Sequence, residues 1–397
     1  MAALEPPARL GLAVSGGGDS MALMYLAAEW NGATLQVATI NHGLRPEAEA
    51  EAAMVAQAAD RLGLPHVTLH WRGWDRRGNL QDQARQARQD LLRDWAQREG
   101  LGAVMLGHTR DDQAETLLMR LARGSGVDGL AGMAARRAEA GLIWLRPLLG
   151  CGRTELRDWL RSKGIFWADD PSNTDPRFDR VKARNALAAL DLSPARLAET
   201  ATRMAEARAV LDQAAQDAAQ SIARAQAGDI IFRLPALDLL PAETRLRLLA
   251  EALRQIASSP YRPRLSALRA AADARRATLH GCLLTRSETE LRITREAKAV
   301  QDQITDAAAL WDNRWQFTPP EGQSGLQGLE IRAFGREGLS HCPDRTAWQV
   351  PRVSLLASPS LWLGTELVAA PLAGQANGWQ LAPRPFSGIL ADLPNSH

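Results

Sequence analysis

Lysine is nearly missing from this sequence. Of 47 cationic side chains only Lys163, Lys182 and Lys298 are lysines, which leaves 44 arginines, and the first 162 residues hold no lysine at all. A Walker-type phosphate lysine or a Schiff-base lysine is therefore excluded from that stretch. Cysteine is also scarce: Cys151, Cys282 and Cys342 lie far apart and never form C-x-x-C. This argues against a zinc ribbon, a disulfide framework or a cluster-binding motif, and suits ordinary buried or half-buried thiols in a reducing cytosol. No apolar run reaches the roughly 18 residues of a membrane span, and the first ten residues carry two prolines and no apolar core, so a cytoplasmic protein is expected. Nor is there an excess of one charge. The 47 cations face 45 acids, so any nucleic-acid partner must be held by local basic patches. What remains is ordinary globular composition, 46% hydrophobic and 23% charged, and 397 residues are enough for two or three domains.

The first 165 residues alternate short apolar strands with amphipathic helices. Strands are expected at residues 10–14, 35–40, 66–71, 103–106 and 141–149. Helices are expected at 20–30, from Pro46 to Gly63, at 80–98, 111–123 and 154–163. Strict alternation predicts an α/β fold, a doubly wound parallel five-stranded sheet with its ligand at the carboxyl ends of the strands. After Asp170 the pattern stops. Ser193 and Pro194 open a long amphipathic helix to about residue 225, with Leu197, Met204, Leu211 and Ala218 seven apart. A small α+β unit follows: a strand at 229–234, helices at 242–257 and 264–274, then strands at 278–286 and 290–294. From about 316 the chain is rich in Gly, Pro and Trp, with strands near 329–334 and 361–368, and reads as a small β-rich unit. The expected division is 1–190, a connecting helix 191–226, then 227–300 and 301–397.

Between the first strand and its helix stand Ser15, Gly16, Gly17, Gly18, Asp19 and Ser20. Three glycines let backbone N–H groups turn inward at a helix N-terminus, forming a nest for phosphate. The two serines add hydroxyls, and Asp19 offers an oxygen to Mg²⁺. The order matches neither a Walker loop nor G-x-G-x-x-G. Further along, Asp111 and Glu115 are four apart on one helix with Asp112 beside them. Their carboxylates suit Mg²⁺ or an incoming ammonium, or else simply favour the helix dipole. His108 either handles a proton and contacts a nucleotide or is a hydrogen-bonded structural residue. Arg85 and Arg88 share a helix face and either grip phosphate or lie solvated.

The glycine loop resembles the signature of the PP-loop ATP pyrophosphatases, which cleave ATP between its α and β phosphates. The segments Asn41-His-Gly-Leu-Arg45, Asn79-Leu-Gln-Asp-Gln-Ala-Arg-Gln-Ala-Arg88, Gly107-His-Thr-Arg-Asp-Asp-Gln-Ala-Glu-Thr116 and Asp170-Pro-Ser-Asn-Thr-Asp, leading to Arg184-Asn-Ala-Leu187, make residues 8–187 similar to the tRNA(Ile)-lysidine synthases within that superfamily. Gln89 departs from the pattern, standing where the family usually has an aromatic residue. The resemblance implies ATP and Mg²⁺ as cofactors, with the nucleotide held by residues 15–20, Asn41, His42 and Arg88. It implies Asp19 and Asp112 as metal ligands, and Asp19, Arg85, His108, Asp111, Asp112 and Glu115 as the reacting group. Its substrates would be free L-lysine and the tRNA(Ile) that carries a CAU anticodon; the alternatives are another PP-loop tRNA-modifying enzyme, such as a thiolase, and a non-catalytic tRNA- or nucleotide-binding module. The tract from 170 to 184 reads as an ordered loop that reaches tRNA through Arg177, Arg180 and Arg184, or as a solvated linker. Further on, Arg262, Arg264 and Arg269 belong to a cluster with Arg254, Arg275 and Arg276, a candidate phosphate-backbone footprint. The 12 tryptophans are read mainly as packing residues. Oligomeric state stays open.

Overall fold

The structure, a computed structural model, describes residues 4–43, 47–71, 80–139, 141–169, 175, 177–322, 326–391 and 393–394. Arg45, Pro46, Asn79 and residues 170–174 and 176, singled out above, lie outside the described residues. The chain divides into two compact units, residues 1–208 and 209–397.

The first unit runs β1 (Arg9–Ala13), α1 (Gly18–Trp30), β2 (Thr34–Asn41), α2 (Glu47–Arg61), β3 (His66–His70), α3 (Leu80–Arg98), β4 (Ala103–Leu106), α4 (Arg110–Ala122), the single turn α5 (Val127–Leu130), β5 (Arg136–Glu139), β6 (Leu142–Leu145), α6 (Arg153–Ser162) and α7 (Asp179–Ala189). Five strands are parallel in the order β3-β2-β1-β4-β6, as the alternation predicts. A sixth strand, β5, adds antiparallel to the β6 edge, and nothing in the apolar pattern announces it because three of its four residues are exposed. Successive side chains of a strand face opposite sides, and both sides are buried. Leu10, Leu12, Val37, Ala103 and Met105 pack on one face with Met21, Leu23, Val55 and Leu160 from α1, α2 and α6. Ala13, Ala38, Val104, Leu106 and Trp144 pack on the other with Leu92 and Trp95 from α3.

The tract read as a loop from 170 to 184 is corrected over its second half. Residues 179–189 form α7, which buries Val181, Ala183 and Leu187. Alanines supply most of its apolar side, too weak a periodicity to stand out among the flanking charges. The long helix α8 (Pro194–Ile222) spans the boundary between the units. It ends three residues before the expected stop because residues 223–226 form the first strand of the second unit.

That unit continues with β7 (Ala223–Gln226), β8 (Asp229–Arg233), α9 (Leu234–Asp238), α10 (Ala242–Ile256), α11 (Leu265–Ala272), β9 (Arg276–Leu279), β10 (Cys282–Arg286) and β11 (Glu290–Arg295). The strands form an antiparallel sheet in the order β7-β8-β11-β10-β9. Where one strand was expected at 278–286 there is a hairpin. His280 (φ 57°) and Gly281 (φ 68°) make the two left-handed turn residues that reverse the chain. Phe232, Leu248, Leu249, Leu253, Leu284 and Ile293 fill its core with α10. A second core gathers Trp311, Trp315, Phe334, Trp362 and Trp379 around a four-stranded and a two-stranded sheet. Among the described residues six tryptophans, these four with Trp95 and Trp144, are buried, as packing residues should be.

Burial also sorts the thiols. Cys282 is fully buried and its thiol is pushed up to about 12, Cys342 is buried and its thiol also raised, while Cys151 is half-buried. A disulfide reagent at pH 8 should therefore titrate one thiol in the native protein and three after denaturation. Cys151→Ala should remove the native one; rapid labelling of all three would contradict the packing described.

Candidate active site

The loop after β1 is braced from within. Gly16 sits at φ 89°, a conformation that glycine adopts without strain. Ser20 Oγ accepts from the Ser15 N–H at 3.1 Å and donates to the Gly17 carbonyl at 2.8 Å, so this hydroxyl closes the loop. The Ser15 and Ser20 hydroxyls lie 3.2 Å apart. On one side the chain returning from α6 pairs with the loop: the Ala168 N–H donates to the Gly16 carbonyl at 2.9 Å, in parallel register with Gly17. On another, Gly107 at the end of β4 lies so close that a Cβ there would meet Asp19 O and Ser20 Cα at 3.0 Å. The loop is thus held between two strand ends, with the α1 N-terminus behind it.

Helix α4 starts beside it. Thr109 caps the helix, and Asp112 Oδ2 accepts from the Thr109 N–H at 2.8 Å and from its hydroxyl at 2.9 Å. This fixes Asp112 and carries Glu115, one turn on, into a buried position. The start of α6 is stapled to the same place. The Arg110 N–H donates to the Cys151 carbonyl at 2.9 Å, and the Arg153 N–H donates to Asp111 Oδ2 at 2.7 Å.

Arg153, which the sequence reading did not single out, joins these parts. Its Nε reaches Asp19 Oδ2 at 3.2 Å, Nη1 reaches Glu115 Oε1 at 3.1 Å and Nη2 reaches Asp112 Oδ1 at 3.2 Å. Two arginines assigned above to tRNA also point into this cluster. From α7, Arg184 Nε donates to Glu115 Oε1 at 2.9 Å, and Arg180 stands 4.0 Å from Asp112. Arg177, by contrast, is exposed and forks onto Asp175. Burial raises the Asp19 carboxyl although Arg153 works against it. Burial acts on Asp112 the same way, but Arg153, the Thr109 N–H and Arg180 outweigh it and hold Asp112 below the usual range.

The other half of the site is basic. Burial lowers the guanidinium of Arg88, and Arg180 and Arg85 press it further by like charge. Arg146, also missed from sequence, is lowered to about 10 by burial with Arg137 and Arg85 nearby. Between the halves, burial holds His108 down to about 3 against the pull of Asp112, so its imidazole is neutral at pH 7. Asn41 is buried with Oδ1 accepting from the Gly43 N–H at 2.8 Å, and His42 meets Trp71 edge-on at 5.8 Å. Both shape the turn after β2. Of the second unit's arginines, Arg264 and Arg269 are exposed, whereas Arg262 and Arg254 share Glu251.

For Mg²⁺ the residues present fit in part. Asp19 Oδ1 and Glu115 Oε2 are buried with no hydrogen-bond partner among the described residues, which leaves each an oxygen for a cation. Of the expected pair, Asp19 keeps a free oxygen, whereas Asp112 meets Thr109 through Oδ2 and Arg153 through Oδ1. As the site stands, with Arg153 among the acids, no group of three His, Cys, Asp or Glu side chains among the described residues is arranged to hold a metal ion.

Against known proteins, residues 2–190 match the family model described as a PP-loop domain. The tRNA(Ile)-lysidine synthase of Ruegeria pomeroyi is 50% identical over 385 residues, 94% of this chain and 91% of that protein. This chain belongs to the tRNA(Ile)-lysidine synthase family. The Wolbachia pipientis wMel synthase is 36% identical over 78% of the chain and 77% of its own length. The Bradyrhizobium sp. synthase is 46% identical over 62% and 74%. Among solved structures, a U34-tRNA thiolase from Methanococcus maripaludis overlaps 51% of the chain at 17% identity with a TM-score of 0.44. In the described residues of this lysidine synthase family member, no helix is long and apolar enough to cross a membrane.

Two outcomes test the geometry. Gly107→Ala forces a methyl against the backbone of the phosphate loop, which overpacking makes worth about 1–3 kcal/mol. The variant's free energy of unfolding in urea should fall by that amount; an unchanged midpoint would contradict the contact. His108 gives a pH signature. The unfolded chain takes up its proton near 6.5 and the folded chain only near about 3. Protons therefore favour unfolding across that window, so this contribution to stability is complete above pH 6.5 and is lost as the pH falls toward 3. Urea midpoints between pH 6 and 4 should decline less steeply in His108→Gln than in the parent; equal slopes would place the proton elsewhere.

Proposed function

We propose that this protein joins free L-lysine to C2 of the wobble cytidine in the tRNA(Ile) that carries a CAU anticodon, using ATP. Asp19 is the observation that carries the reading. It belongs to the phosphate loop by sequence and to the acid cluster by contact, so a nucleotide's phosphates and a cationic substrate meet at one residue. In the first step the cytidine 2-oxygen attacks the α-phosphorus, the α–β phosphoanhydride bond breaks and pyrophosphate leaves with the electron pair. In the second, the ε-nitrogen of lysine forms a bond to C2, the C2–O bond breaks, and AMP leaves. Before that attack the bound ammonium gives one proton to a carboxylate of the cluster, which frees the lone pair of the nitrogen.

The chain's residues divide this work. Loop amides at the α1 N-terminus bind the polyphosphate, and the basic half with Arg88 and Arg146 holds the negative charge of the adenylate. The buried carboxylates of Asp19 and Glu115 orient the lysine ammonium toward C2. Neutral His108 lies between the two halves and offers one ring nitrogen as donor and the other as acceptor. A Mg²⁺ held by Asp19 and the phosphates would neutralise charge on the departing pyrophosphate. In our reading residues 1–190 carry this chemistry, 191–226 connect, and 227–300 read the tRNA body with Arg264 and Arg269 on phosphates. Residues 301–397 complete the tRNA-binding half, and the enzyme works in the cytoplasm.

The test is incubation with ATP, radiolabelled lysine and isoleucine tRNA transcripts. Label should enter RNA with the CAU transcript alone, and Asp19→Ala should cut it by about 100-fold or more, the scale of losing a preorganised charge, with its circular dichroism unchanged. Cys151→Ala should remain active, because no step uses a thiol. Label in every transcript, or normal turnover by Asp19→Ala, would overturn the proposal.

A further inference from the structure

The acid cluster already contains a cation. One guanidinium uses its Nε, Nη1 and Nη2 to touch three different carboxylates, those of Asp19, Glu115 and Asp112, at 3.1–3.2 Å. A charge-assisted pair with ideal geometry is about 2.7–2.9 Å long. All three contacts are longer than that, so the guanidinium is shared among the acids and optimised for none. It does not hold the helix in place either, since the Arg153 backbone N–H makes its own 2.7 Å bond to Asp111. The side chain can leave while the start of α6 stays put.

We propose that Arg153 is a built-in counter-cation: its guanidinium fills the place among Asp19, Asp112 and Glu115 that a cationic ligand takes, so that a divalent ion or an ammonium binds there by exchange with it. The inference rests on the reading of this site as one that receives lysine and ATP. Three carboxylates face three guanidinium groups, because Arg184 contacts Glu115 and Arg180 approaches Asp112. Among the described residues the formal charges of these six side chains therefore balance without ligand. A further cation entering beside Arg153 would leave excess positive charge in a site where Arg153 and all three acids are mostly buried, and uncompensated buried charge is strongly disfavoured. Exchange avoids this. The oxygens that would receive the newcomer exist, Asp19 Oδ1 and Glu115 Oε2, both buried and without a hydrogen-bond partner among the described residues. Room for the displaced side chain exists as well: Arg153 lines a cavity of about 550 Å³ together with Asp111, Glu115, Arg184 and Asp191.

The experiment uses the full chain without nucleotide or tRNA. Mn²⁺, as a spectroscopic probe of divalent binding, is titrated by electron paramagnetic resonance into the parent, Arg153→Met and Arg153→Lys. A parallel calorimetric series uses L-lysine, with L-norleucine as the control that lacks the amine. The parent should bind Mn²⁺ weakly. Arg153→Met should bind Mn²⁺ or L-lysine at least tenfold more tightly, and that ligand should raise its Tm where it leaves the parent's unchanged. Arg153→Lys, which keeps the charge but reaches fewer acids, should fall between. Gain for Mn²⁺ alone identifies the exchanging ligand as the metal, gain for lysine alone as the ammonium, and gain for both as either. Gain for neither overturns the proposal. So does tight, low-micromolar Mn²⁺ binding by the parent, a result that does not depend on either variant folding. Lysine incorporation by the parent is measured separately; its absence with the exchange pattern intact would sink the proposed function and leave the counter-cation standing.

Discussion

Buried carboxylates cannot stand together without compensation, and that constraint organises the first unit. Asp19, Asp112 and Glu115 come from two helices separated by most of a hundred residues, and bringing them together is costly unless positive charge arrives with them. Arg153 supplies it from a third helix. Removing one partner from such a cluster leaves the rest uncompensated, which typically costs about 3–5 kcal/mol. The hydrogen bonds that aim Arg153, from Arg110 to the Cys151 carbonyl and from the Arg153 N–H to Asp111, are thus part of the same interaction.

The parallel sheet explains why these groups can meet. Every strand of β1, β4 and β6 ends at the same edge, and the chain that leaves each strand begins a helix there. The positive ends of α1, α4 and α6 therefore converge. Acids gain about 0.3–1 kcal/mol at such positions, so Asp19, Asp111 and Asp112 are in favourable places even without ligands. Arg153 is in the wrong place by the same rule, a cation in the first turn of α6. Only the acids opposite account for it. A residue that opposes its helix dipole to serve a cluster on other helices is positioned for the site and not for the helix.

Much of this was legible locally. The strands, the glycine loop and the acids of α4 are short-range patterns, and the structure places them where periodicity and spacing put them. What escaped the sequence is long-range or weakly patterned. Arg153 finds its partners 134, 41 and 38 residues away, a relation no spacing rule reports. One signal was available, an arginine directly after Gly152 at the carboxyl edge of β6, where the ligand of a parallel sheet is expected. The inward hydrogen bonds of Ser20 were not legible either, because a hydroxyl in such a loop can turn inward as readily as outward. The contacts of Arg180 and Arg184 with the acids escaped because their segment read as a loop; it is helical from 179, and α7 packs on α4 with both turned toward Glu115 and Asp112.

The second unit provides the contrast that makes the acid cluster informative. There, Asp312 gives both oxygens to Arg295, at 2.9 and 3.0 Å. Asp229 takes Ser354 at 2.6 Å and Arg292 at 2.7 Å. Arg314 reaches the carbonyls of Ile256 and Gly228. Such networks fix packing because their members are satisfied, and a satisfied buried network has no reason to exchange partners. In the first unit, Asp19 and Glu115 each keep an oxygen that is buried and unmatched, and a histidine between the acidic and basic halves is held neutral. Folding alone does not favour that state. A chain that satisfies its buried acids in one unit and leaves Asp19 and Glu115 incomplete in the other keeps binding capacity where the glycine loop and the acids share Asp19.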